Sequence, residues 1–162
     1  MKASPLTVFL AILTVLLIVI PGLNALFFPA YGSGRLLTPT GMFTNTQKAN
    51  DTNENVFFGV ITPSMKPSEI MIVIESFSWG AEYAMPSNDL SGPLTLVHTF
   101  GSSYSDNITS IFYTDLGQIE EVGTGDYITI TLSHEGSGSE VYGVWMAYTL
   151  GITTMDDIFF TW

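Results

Sequence analysis

Apolar residues are spread along this chain in two different ways. From Leu6 to Ile20 they run without a charge or any residue more polar than Thr; from Val56 onward they come in short bursts separated by Gly, Pro, Ser and Asn. The first pattern predicts a helix apolar around its whole circumference, and such a helix must be buried. Counted with its flanks, Ala3 to Phe28, it would measure about 39 Å, enough to cross the ~30 Å hydrocarbon layer of a bilayer. Pro21-Gly22 and Asn24 interrupt it. Pro21 and Gly22 form either a hinge within the helix or its end.

The second pattern predicts strands. Val56–Thr62, Ile70–Phe77, Leu94–Phe100, Ile108–Thr114, Tyr127–Ser133 and Val141–Thr149 are rich in β-branched and aromatic residues, and Gly151–Thr154 and Ile158–Trp162 read as short edges. Ile128, Ile130 and Leu132 alternate with polar neighbours, giving one buried and one wet face. The run Ile70-Met71-Ile72-Val73-Ile74 is apolar on both faces, which predicts a central strand covered on each side. Residues 31–55 read as a flexible joint at Tyr31-Gly32-Ser33-Gly34 and a polar loop with little core. The expected fold class is therefore α+β: a long hydrophobic N-terminal α-helix over 1–30, the joint and loop over 31–55, and an antiparallel immunoglobulin-like β-sandwich over 56–162.

Charge narrows the partners. The net charge is -11, the only basic residues are Lys2, Arg35, Lys48 and Lys66, and every carboxylate lies at or after Asp51. Such a surface repels nucleic acid and anionic lipid, and it suits a saline exterior or a partner that brings positive charge. With no cysteine, disulfides, thiol catalysis and Cys-ligated zinc are excluded.

Signatures of chemistry are scarce. The chain has no GxGxxG leading from a strand into a helix, no GxxxxGK[ST], no HExxH and no GxSxG. His98 and His134 share no motif, so no catalytic residue, cofactor or metal is assigned and no enzyme activity is expected. The acidic pairs near Asp115–Asp126, with Glu120-Glu121, and at Asp156-Asp157 lack EF-hand spacing; each reads as a Ca²⁺ candidate or a solvated turn, Asp126 alternatively capping backbone N–H groups. Asn50-Asp51-Thr52 and Asn107-Ile108-Thr109 are N-glycosylation sequons, which predict N-glycans on an extracellular domain.

Three readings compete for the opening segment. It is a secretory signal peptide cut near Ala25, a membrane anchor oriented by Lys2, or a helix that ends among copies of itself. Ser4-Pro5 suits a helix start. The stretch ASPLTVFLAILTVLLIVIPGLNAL resembles the N-terminus of archaeal type IV pilins, and FFGVITPSMKPSEIMIVIES and ITSIFYTDLGQIEEVGTGDYITITL resemble later segments of that family. The resemblance implies a structural subunit of a helical, homo-oligomeric, extracellular pilus-like filament for adhesion or cell contact, held in the membrane before assembly. It implies a filament core built from Leu6, Phe9, Leu10, Leu13, Leu16, Leu17 and Ile20. Two further expectations have the same outline: a membrane-anchored β-sandwich binding module such as an archaellum accessory protein, and a secreted acidic β-sandwich whose signal peptide is removed.

Overall fold

The structure, a computed structural model, describes residues 39–101, 107–149 and 153–162. All of them lie in one unit, Thr38–Trp162. In chain order the strands are β1 (Thr40–Lys48), β2 (Asn53–Thr62), β3 (Ile70–Ser76), β4 (Trp79–Ala84), β5 (Gly92–Pro93), β6 (Thr95–Gly101), β7 (Ile108–Thr114), β8 (Tyr127–Leu132), β9 (Val141–Tyr148) and β10 (Thr153–Thr161). They form two five-stranded sheets, ordered β1-β2-β8-β7-β5 and β10-β9-β3-β4-β6. Every pairing is antiparallel.

Period-two alternation builds the core. β3 turns Ile70, Ile72 and Ile74 inward, β8 turns Ile128, Ile130 and Leu132, and β9 turns Tyr142, Val144 and Met146. These side chains meet in one hydrophobic cluster between the sheets. Aromatic contacts extend it: Phe58 meets Phe43 at 5.4 Å and Tyr113 edge-on at 6.1 Å, and Tyr142 stacks on Phe160 at 5.3 Å.

The sandwich expected from the sequence is present, but the fold class is corrected from α+β to all-β. The only helical element among the described residues is the 3-10 turn Pro67–Glu69, and none of them forms a helix long and apolar enough to cross a membrane. The transmembrane helix, and the type IV pilin architecture that depends on it, therefore form no part of the fold described. The assignments to Leu6, Phe9, Leu10, Leu13, Leu16, Leu17, Ile20, Pro21 and Gly22 fall outside the described residues. The five-plus-five strand order also departs from the four-plus-three arrangement of an immunoglobulin constant domain.

Strands the sequence reading missed supply that difference. Residues 39–55 were expected as loop, yet they form β1 and the start of β2. β1 buries only Phe43, because it is an edge strand with most side chains in water. Its register shifts on either side of Phe43, and that residue's N–H donates to Asp156 Oδ2 at 2.6 Å, across to β10 of the other sheet. β10 shifts register at the same place, between Thr154 and Asp156. The hydrogen bond that ties the sheets along this side thus joins irregular stretches of both strands.

A candidate binding face

β3 is the middle strand of its sheet, as a doubly apolar run should be. Its second face, Met71, Val73 and Glu75, points away from the core and is half-buried; no element among the described residues packs over it. Cross-strand pairing fixes what surrounds these side chains. From β10 to β6, Phe159, Gly143, Glu75, Gly80 and Phe100 are successive partners. The next row is Asp157, Trp145, Val73, Glu82 and His98. With strands about 4.8 Å apart, each row runs about 19 Å across the sheet.

Two glycines shape this face. A Cβ on Gly143 would run into the Trp145 ring and come within 2.9 Å of Phe159 Cε1. A Cβ on Gly80 would collide with the Phe100 ring and meet Glu75 Cγ at 2.9 Å. Trp145 and Phe100 therefore lie down over bare backbone, the arrangement by which aromatic rings compensate glycines in a sheet. Phe159 stands edge-on to Trp145 at 5.6 Å and 82°, and His98 stacks on Phe100 at 6.4 Å. Between the two rings lies a hollow of about 330 Å³, lined by Val73, Glu75, Glu82, Trp145 and Phe100. A neighbouring hollow of about 470 Å³ runs from Trp145 and Phe159 to Val141 and Phe77 at the sheet end. Phe77 sits at the tip of the β3–β4 turn and is fully exposed.

The face is acidic, and among the described residues no lysine or arginine lies on it. Glu75 and Glu82 are half-buried and Asp157 is exposed. Both described lysines are engaged elsewhere: Lys48 lies 4.7 Å over the Trp162 ring and 4.0 Å from Asp51, and Lys66 pairs with Asp89 at 3.3 Å. Hydrogen bonds from Ser68, and after them Lys66, hold the Asp89 carboxyl below its ordinary range. The only ion pair among the described residues that involves histidine is His134 with Glu140 at 3.6 Å.

The other positions singled out in the sequence are scattered. Asp126 is buried, and its carboxylate accepts from the Tyr113 hydroxyl at 2.8 Å and from the N–H groups of Leu116 and Gly123 at 2.9 and 2.7 Å. It closes the loop after β7 as a cap. Burial, then the hydrogen bond to Asp126, raises the Tyr113 hydroxyl far above its ordinary range. Asp115 accepts from Gln118 N–H at 2.6 Å, Asp156 is committed to Phe43, and Glu120 and Glu121 are exposed. Among the described residues no three His, Asp or Glu side chains are grouped to hold a metal. Asn50 is exposed at the β1–β2 turn, where its Oδ1 accepts from Thr52 N–H at 2.9 Å and Thr52 Oγ1 at 3.1 Å. Asn107 is half-buried just before β7.

Sequence reasoning missed Gly80, Glu82, Phe100, Gly143 and Trp145 as a group. Two signals pointed there: the doubly apolar β3, and a glycine inside the apolar β9 run, which marks a close approach. Comparison with known protein families, curated proteins and solved structures finds no match to this chain.

Proposed function

We propose that this domain is a structural module of the cell exterior that works by holding a partner protein against the open face of its second sheet. The observation that carries the reading is the central strand β3: it is apolar on both sides, and beside its outer side lie the three aromatic rings of Trp145, Phe159 and Phe100. An apolar, aromatic face of this kind marks an interaction surface. The acidic composition and the exposed sequon at Asn50 support a location outside the cell. The expectation of a filament subunit rests chiefly on residues 1–30 and draws nothing from this face.

Hydroxyl-radical footprinting tests the reading. Trp145 and Met71 should be oxidised readily in the purified protein and protected on intact cells, while Phe57, on the opposite outer face, changes little. Equal oxidation of Trp145 in both settings refutes it.

A further inference from the structure

We infer that the partner presents an arginine or lysine side chain to the hollow between Trp145 and Phe100, where Glu75 and Glu82 receive its charge. The inference rests on the binding-face reading above and names the chemistry of its occupant. Glu75 is paired with Gly80, and Glu82 lies two residues further along the same strand. The two glutamates are thus diagonal neighbours, with Cα atoms about 7–8 Å apart. One guanidinium, with donors on several edges, reaches both. Val73 and the two rings line the hollow beside the glutamates.

Charge decides against the other occupants. Covering this hollow with a neutral sugar would leave two like charges dehydrated side by side, and burying uncompensated carboxylates is strongly unfavourable. Nucleic acid and anionic lipid are repelled. A cationic side chain removes the penalty and gains from it. Among the described residues no lysine lies on this face: Lys48 pairs with Asp51 and Lys66 with Asp89. His98 stands across from Glu82 and stacks on Phe100, but no ion pair joins it to Glu82 among the described residues.

The test uses the full chain in an uncharged detergent and follows the indole N–H resonance of Trp145, assigned with Trp145→Phe. The probe is an end-blocked peptide of alternating arginine and serine. It should shift Trp145 saturably while buried Trp79 and Trp162 stay in place. Replacing arginine by citrulline, or Glu75 and Glu82 together by Gln, should weaken binding by at least about tenfold. Gly143→Ala, which displaces the Trp145 ring without touching the core, should weaken it as well. Equal binding by the citrulline peptide or by the Glu75→Gln/Glu82→Gln variant overturns the inference. So does an equal response of all three indoles, which would mean attraction to net charge alone, or spermine binding as tightly as the peptide. A neutral oligosaccharide that shifts Trp145 where the arginine peptide does not overturns the cation and leaves the face standing. Protection of Trp145 on cells without any peptide response sinks this inference only; loss of both sinks the functional reading too.

Discussion

Asp126 is the side chain on which the loop after β7 depends, and its removal has a calculable effect. In Asp126→Ala three donors lose their acceptor. The Tyr113 hydroxyl belongs to a residue with no exposed surface, so water cannot replace the carboxylate. An unsatisfied buried donor costs about 1–3 kcal/mol. The N–H groups of Leu116 and Gly123 are only part-buried, and each loses about 0.5–1 kcal/mol after rehydration. The expected loss is about 2–5 kcal/mol. For a domain of this size that lowers Tm by roughly 6–20 °C. Asp126→Asn keeps one oxygen but sets an amide donor against either the Leu116 N–H or the Gly123 N–H and Tyr113 hydroxyl together, so it should lose about 2 kcal/mol. Tyr113→Phe alone removes a donor from an acceptor that still has Gly123, and should cost about 1 kcal/mol.

The discriminating measurement is the cycle, read from thermal and urea unfolding of the full chain by near-ultraviolet circular dichroism. In the Asp126→Ala background, Tyr113→Phe removes a stranded hydroxyl and should cost nothing or restore some stability. The coupling should be about 2 kcal/mol. Additivity within about 0.5 kcal/mol would show that the hydroxyl and carboxylate act independently and would refute the reasoning.

Two other outcomes follow from the geometry. Glycopeptide mass spectrometry should find glycan on Asn50, whose amide nitrogen is free at an exposed turn, and less on Asn107, which is half-buried; equal occupancy would contradict the structure. Glu54 is only 4% exposed, and burial, opposed by Thr46 and Lys48, raises its carboxyl above the ordinary 4.5. The folded state then holds the proton more tightly, so the stability from this group is full below that value and is lost as pH rises through the folded pKa. Glu54→Gln should gain on the parent protein in Tm from about pH 4 toward neutrality, and a difference that is flat or shrinks with pH would overturn the assignment.

Much of the sandwich was legible because its core strands carry their burial in their own letters. Ile128-Thr129-Ile130-Thr131-Leu132 announces one wet and one dry face, and β8 has them. The strands that were missed obey another logic. β1 reads TGMFTNTQK, polar because an edge strand needs only one buried anchor, here Phe43. β4 reads WGAEYA, with no β-branched residue; it is held by pairing to β3 through a two-residue turn and is visible only once β3 is placed. β10 looked like two fragments because the bulge at Asp156 breaks its alternation. The candidate face was less legible, since it depends on which residues become neighbours across five strands. Spacing along the chain says nothing of Phe159 beside Trp145, or of Glu75 beside Glu82.

The two glycines turn that juxtaposition into an argument about purpose. A glycine in a strand interior is less stable than alanine by about 0.5–1 kcal/mol, and Gly80 and Gly143 both sit well inside a sheet. The rings laid over them recover part of that loss through contact, but an ordinary β-branched residue would serve the sheet better if stability were the only demand. What the glycines add is flatness: with no Cβ beneath them, Trp145 and Phe100 lie level with the sheet and leave the Glu75–Glu82 hollow open between them. β3 makes the same point from below. A strand that spends apolar side chains on both faces is adapted to being covered twice, and the described fold covers it once. Both features make sense together when a second surface completes the sheet.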